Sequence, residues 1–324
     1  MTTFDVFNGD ADGICALHQL RLAEPCDGIL VTGIKRDIAL LQQVEAGTGD
    51  RVTALDISLD KNRAALLRLL DAGASVTYVD HHYAGEIPAH PALQVLIDPD
   101  PETCTSLLVD RMLHGQFRAW AVVAAFGDNL HQAAVRAATP LDLSPQQLGT
   151  LCELGECINY NAYGESVDDL YFHPAELYRR LQPYADPLEF IAHDPAFPRL
   201  KQGYADDMAL AQALAPAWEY PAGRVYVLPN QPWSRRVSGV FGNYLARAEP
   251  ALAHAVLTRK AFGGYLVSVR APRQNPTGAD ELCRQFESGG GRKGAAGINH
   301  LPENELERFL ACFASAYQPA GSAP

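Results

Sequence analysis

Short apolar runs alternate with amphipathic stretches over the first 130 residues. Phe4-Asp-Val-Phe7 reads as a strand, and residues 13–21 as a helix with Ile14, Leu17 and Leu20 on one face. Residues 28–32 read as a second strand, and Asp37 as the cap of a helix running to Val44. Residues 51–55 are strand-like, 60–72 helical with Gly73 as a stop signal, and 75–79 a further strand. From about 115 to 215 the pattern is mainly helical, with Ser144-Pro145 as a cap and first-turn proline, and further helices at 174–182, 187–192 and 205–215. Pro216, Pro221 and Gly223 then mark a boundary. Beyond it, short β runs at 224–228, 254–258 and 264–269 mix with helices at 279–287 and 303–317. Strand–helix alternation predicts an α/β fold: an N-terminal parallel-sheet domain with a helical extension over 1–215, and a smaller α+β domain over 222–318. Residues 319–324 read as a frayed tail.

Composition narrows the function classes. A chain of 324 residues can bury two cores. No apolar run approaches the roughly 18 residues that span a bilayer, and the N-terminus carries no signal-like segment, so a cytoplasmic location without membrane contact is expected. The seven cysteines are scattered without a Cys-x-x-Cys pair, which argues against structural zinc and a disulfide framework. A net charge of −12 disfavours a protein that coats long nucleic acid. From Ala222 onward, however, twelve Arg and Lys stand against seven Asp and Glu, so the acidity lies wholly in the first part. Such a division suits carboxylates holding cations in one part and cationic groups holding a phosphorylated substrate in the other.

An open parallel sheet places ligands beyond the carboxyl ends of its strands. Asp10 and Asp12 follow the first strand there, Asp56 a later one, and Asp80-His81-His82 another. In Asp10-Ala-Asp12-Gly13 two carboxylates can enter one cleft if small Ala11 points away, and Gly13 permits a tight turn. A calcium loop would need more oxygen ligands than Ile14-Cys-Ala-Leu17 supplies. Neutral imidazole beside carboxylates suits manganese, iron or zinc, and a mixed set suits two divalent cations about 3.5–4 Å apart.

The order and spacing of Asp10-Ala-Asp12-Gly13, Asp56, Asp80-His81-His82 and Asp128 resemble the DHH phosphoesterase family. The resemblance implies metal ligation by Asp10, Asp12, Asp56, His81 and Asp128, with Asp56 bridging two ions. Mn2+ is the implied metal, with Mg2+, Co2+ and Fe2+ as alternatives. His82 would face the scissile phosphate, and Asp80 would orient the histidine turn. Glu102-Thr-Cys-Thr-Ser106 resembles the family's Ser/Thr-rich segment, which makes Ser106 a substrate-binding candidate. The first motif departs from the pattern. Nanoligonucleotide-degrading and pyrophosphatase members have a histidine where this chain has Val6, and RecJ-like exonucleases an aspartate where it has Asn8. An amide oxygen can ligate a metal, so Asn8 remains a candidate ligand, but it brings no charge.

Ser288-Gly-Gly-Gly-Arg-Lys-Gly-Ala-Ala-Gly297 exposes backbone N–H groups beside two cations, a composition suited to phosphate. It resembles the GGGH-x-x-AAG signature of the DHHA1 domain, and Val267-Ser-Val-Arg270 resembles that domain's substrate-binding strand. Gly289, Gly290, Gly291, Arg292 and Arg270 are thereby substrate-binding candidates. Arg292 replaces the family's histidine and keeps a donor fork, but it does not titrate near neutrality. The motif argues against pyrophosphate as substrate, because the family's pyrophosphatases carry a different C-terminal domain.

The expectation is a metal-dependent phosphoesterase acting on short oligonucleotides or small nucleotides: a nanoRNase-like, linear or cyclic dinucleotide, or pAp-type enzyme, with a homodimer as one assembly. The alternatives are a RecJ-like single-strand exonuclease and a catalytically weakened nucleotide sensor. The other eight histidines read as structural or exposed. Lys35-Arg36-Asp37 reads as a solvated helix start, and Asn159-Tyr-Asn161 with Tyr163 as loop packing.

Overall fold

The N-terminal strand Thr3–Phe7 (β1) carries Phe4 and Val6 on one face and Asp5 and Phe7 on the other, the period-2 alternation of a sheet covered on both sides. In the computed structural model, which describes residues 1–318, the chain continues through Ala11–Ala23 (α1), Ile29–Val31 (β2), Arg51–Leu55 (β3), Leu59–Asp71 (α2), Ser75–Asp80 (β4) and Leu93–Ile97 (β5). All four pairings of this sheet are parallel, in the order β2-β1-β3-β4-β5. The order reverses direction between β1 and β3, and a crevice forms at such a switch point. The tail at 319–324 lies outside the described residues.

One face packs on α1 and a helical layer: Thr105–Met112 (α3), Arg118–Gly127 (α4), His131–Ala138 (α5), Pro145–Asn161 (α6), Pro174–Leu181 (α7), Pro187–His193 (α8) and Ala196–Gln212 (α9). Its core includes Phe7, Leu17, Trp120, Val123, Leu154 and Tyr178. The other face, with Val6, Ala54, Val76 and Tyr78, is covered by α2 and a short turn at Leu40–Gln43. Ser144 caps α6 with a reciprocal bond from Gln147, and Gly73 ends α2 at φ +89°, both as their residue types predict.

The helix expected from Asp37 to Val44 does not form. Asp37 Oδ2 accepts instead from the N–H of Ile34 at 3.1 Å, closing a local turn, and only a single 3₁₀ turn follows at Leu40–Gln43. An aspartate favours local turns as readily as helix caps, and nearby contacts decide between them. The helix expected at 279–287 is likewise shorter.

The chain divides into two compact units, Met1–Gly203 and the remainder from Tyr204. The second contains Trp218–Tyr220 (β6), Gly223–Leu228 (β7), Pro232–Ala248 (α10), Ala253–Arg259 (β8), Tyr265–Arg270 (β9), Ala279–Cys283 (α11), Gly289–Arg292 (β10), Ala295–Leu301 (β11) and Leu306–Ala316 (α12). Its mixed sheet runs β10-β11-β9-β8-β7-β6 over a core of Val225, Leu257, Val267, Ile298, Phe309 and Phe313. The glycine-rich segment is not an open loop: it forms the β10–β11 antiparallel hairpin. Among the described residues no helix is long and apolar enough to cross a membrane, and all seven cysteines are free.

Candidate metal centre

β1 enters α1 through the Asn8-Gly9-Asp10 turn. Asp10 caps α1, its Oδ1 accepting from the N–H groups of Asp12 and Gly13 at 3.0 and 3.1 Å, which satisfies two donors that a helix start leaves open. Gly9 has no space for a side chain: a Cβ there would stand 1.9 Å from the Gly33 carbonyl oxygen. The turn therefore rests directly on the loop that follows β2.

Asp12 lies in the first turn of α1 and caps a second helix. Its Oδ2 accepts from the Thr105 N–H and its Oδ1 from the Ser106 N–H, each at 2.7 Å, while Ser106 Oγ donates to the Asp12 carbonyl at 2.8 Å. Asp56 follows β3 with φ +57°, a left-handed conformation that aspartate tolerates better than most residues. Thr105 Oγ1 donates to its Oδ1 at 3.3 Å. Asp80 ends β4 and is fully buried, with Oδ1 2.7 Å from His82 Nδ1. Asp128 stands at the C-cap of α4.

These segments converge on His81. Its Nε2 lies 3.4 Å from Asp56 Oδ1, 3.8 Å from Asp128 Oδ2 and 3.9 Å from Asp12 Oδ2. Ligands each about 2.1 Å from one ion stand about 3–4 Å apart. The distances from His81 are of that order, and mixed imidazole–carboxylate donors suit a divalent cation. Asp56, His81 and His82 also offer ligand atoms within 4.8 Å of one another.

Charge crowding shapes the cluster. Burial pushes the Asp56 carboxyl well above the usual carboxylate range, and Asp12, Asp10, Asp128 and Asp80 push it further. Burial also raises Asp128, against the opposing pull of Lys35. Burial would raise Asp10 too, but the attraction of Lys35 outweighs it and the group is lowered. At His82 burial disfavours the imidazolium, yet the hydrogen bond and charge of Asp80 prevail and raise its pKa.

Lys35 is the residue that the sequence reading passed over. Its ammonium ion-pairs with Asp10 Oδ2 and reaches Asp128 Oδ1 at 3.2 Å and Asn159 Oδ1 at 3.0 Å. Asn159 Nδ2 lies 3.4 Å from Tyr163 Oη, and the ammonium lies 6.0 Å from the Tyr163 ring centroid. Asn159 and Tyr163 thus stand beside this cation, whereas Asn161 packs locally, exchanging hydrogen bonds with the Phe172 backbone. A signal was available, since Lys35 follows β2 and so sits at the same sheet edge as the acidic groups.

Asn8 accepts from the Asp10 N–H at 3.2 Å through Oδ1, and its Nδ2 donates to the Lys35 carbonyl at 3.2 Å. Ser106 is fully buried and anchors Asp12. In the second unit, strand register places Gly290 and Arg292 of β10, Ala295 and Gly297 of β11, and Ser268 and Arg270 of β9 on one face. Arg292 is exposed. The Arg270 guanidinium bonds Asn243 Oδ1 at 2.7 Å and Ser268 Oγ at 2.9 Å. Gly289 and Gly291 answer to packing: a Cβ would stand 1.8 Å from the Cys283 carbonyl oxygen at the first and 2.5 Å from Ala296 Cα at the second. At Gly290 nothing lies within 4 Å.

No protein-family model matches the sequence, and no curated protein matches it. Solved structures do. An exonuclease RecJ bound to manganese superposes with a TM-score of 0.64 at 18% identity, over 100% of this chain and 91% of that one. RecJ of Thermus thermophilus in complex with Mn2+ gives 0.61 at 21% identity, covering 97% of this chain and 51% of that one, so this chain spans about half its length. A pGpG-specific phosphodiesterase, PggH from Vibrio cholerae, gives 0.56 at 13% identity over 97% and 98% of the two chains. The likeness to the RecJ structures and to PggH is therefore one of fold, over 97–100% of this chain.

Proposed function

We propose that this chain is a divalent-metal-dependent phosphoesterase acting on short oligonucleotides or small nucleotides. The observation that carries the reading is the convergence of Asp12, Asp56 and Asp128 within 3.9 Å of His81 Nε2, at the carboxyl edge of a parallel sheet. Those four residues would hold the cation. When bound, a divalent ion there would polarise a phosphate oxygen and lower the pKa of a water it holds toward neutrality.

The chain's own groups supply the rest. Thr105 and Ser106 fix Asp12 through backbone N–H bonds, so the ligand needs no reorganisation. His82 Nδ1 is tied to Asp80, which leaves Nε2 to hold a proton for the leaving oxygen. Arg270 and Arg292, two strands apart on one sheet face, carry donors for a substrate phosphate. Tyr83 follows His82 with 76% of its surface exposed and offers a ring for a base. Tyr83→Ala should raise KM about tenfold with little change in kcat, since one base stack is worth about 1–3 kcal/mol.

The test is a manganese-supplemented panel of RNAs of two to ten nucleotides, cyclic dinucleotides, pAp and pyrophosphate, run against Asp56→Ala. Turnover of short members that Asp56→Ala abolishes supports the reading. Survival of every member, with Asp56→Ala behaving like the parent, removes it. A RecJ-like exonuclease is the second reading, favoured by the fold likeness over the full chain. Under it, cleavage would persist undiminished on long single strands.

A further inference from the structure

The family resemblance implies two metal ions, but only one half of this cluster fits an ion. Asp12, Asp56, His81 and Oδ2 of Asp128 make up that half. In the other half Asp10 Oδ2 pairs with the Lys35 ammonium. The backbone N–H bonds to its Oδ1 do not by themselves exclude an ion, since Asp12 accepts two such bonds as well, but a fixed cation on the carboxylate does. The ammonium also meets Asp128 Oδ1 at 3.2 Å, so Asp128 divides its two oxygens between Lys35 and the His81 half.

Resting on the proposed function, we propose that the centre holds one divalent cation, and that the Lys35 ammonium permanently occupies the place of a second. Lys35 is fixed at three points. Its N–H donates to the Ala162 carbonyl at 3.0 Å, its carbonyl accepts from Asn8 Nδ2 at 3.2 Å, and its ammonium rests on Asp10, Asp128 and Asn159. Asn8 matters twice here. Its amide donates to the Lys35 carbonyl, which an aspartate carboxylate could only repel. The same change removes one carboxylate from the half that Lys35 fills. The neutral amide at Asn8 and the cation of Lys35 are thus joined in one hydrogen-bonded arrangement. An ammonium supplies fixed positive charge and three donors but has no orbital for a ligand. Lys35 can therefore steady negative charge on a bound phosphate without activating water.

Manganese binding to the full chain decides the matter, read by calorimetric stoichiometry and electron paramagnetic resonance independently of turnover. The parent should bind one Mn2+ with an uncoupled spectrum. The double variant Asn8→Asp with Lys35→Ala should bind two, with the signature of exchange coupling. Two ions with a coupled spectrum in the parent would overturn the proposal, because the lysine would then have yielded its place. No ion in the parent would overturn it as well. One ion in both proteins would show that Lys35 does not hold an ion's place. If the parent binds one ion and the variant two, yet no phosphoester is hydrolysed, the inference stands and the functional reading fails.

Discussion

In the proposed centre a side chain of the first unit would serve either as a ligand or as part of the frame that holds one, and substitution separates the two. Ser106 fits the frame: its hydroxyl donates to the Asp12 carbonyl while its N–H holds the carboxylate. Ser106→Ala should weaken Mn2+ binding about tenfold, the lower end for residues behind metal ligands, with KM unchanged at saturating metal. A raised KM at full metal occupancy would instead place Ser106 at the substrate. His18 shows what burial does away from the site. Its Nε2 lies 2.9 Å from the Tyr184 carbonyl oxygen and its ring meets the Trp120 edge-on. Burial pushes its pKa down to about 4, with the Tyr184 bond opposing. A depressed folded-state pKa means that the unfolded chain takes up a proton first. Stability from this group is thus complete above pH about 6.5 and falls by about 3 kcal/mol as pH drops to about 4. Urea midpoints measured between pH 7.5 and 4.5 should show that decline, and His18→Gln should flatten it. None of this pairing was legible in sequence. An isolated histidine reads the same whether buried or exposed.

Local chemistry was decisive for some elements and silent for others. Ser144-Pro145 and Gly73 behave as their backbone preferences require, because a cap or a left-handed stop involves only neighbours in the chain. Asp37 could serve a turn or a helix cap, and the bond from Ile34 selected the turn. The run of glycines was ambiguous in the same way, since it suits an open phosphate loop or a tight hairpin. The hairpin assigns its members different tasks, and the difference is measurable. Gly289→Ala drives a Cβ into the Cys283 carbonyl and should cost about 2 kcal/mol or more, seen as a lowered Tm. Gly290→Ala meets open space and should leave Tm unchanged. If it impairs turnover nonetheless, this face of the sheet carries substrate.

Charge and length preference are properties of the whole molecule. A net charge of −12 opposes a long polyanion, while the candidate phosphate grip consists of Arg270 and Arg292. Two phosphate contacts on a single strand predict a slope of log affinity against log salt of about −1 to −2. Substrate affinity measured between 50 and 300 mM salt should follow that slope, and it should not steepen for longer strands. A slope steeper than about −4 would indicate a continuous track and favour the exonuclease reading.

By itself the sequence determined the alternation of strands and helices, the parallel sheet and the edge on which Asp10, Asp12, Asp56, Asp80, His81 and His82 gather. These follow from hydrophobic periodicity and from the rule that strand ends face the crevice. Tertiary structure alone decided how the gathered groups divide. Sequence spacing cannot say that Asp12 caps a helix beginning at Thr105, or that Lys35 is seated between Asp10 and Asp128. Those contacts join residues 25 to 94 positions apart. The Lys35 contacts come from the loop after β2, which packs against Gly9 where the space for a single Cβ is already taken. How the acidic groups divide between His81 and Lys35 follows from those contacts, not from their order in the sequence.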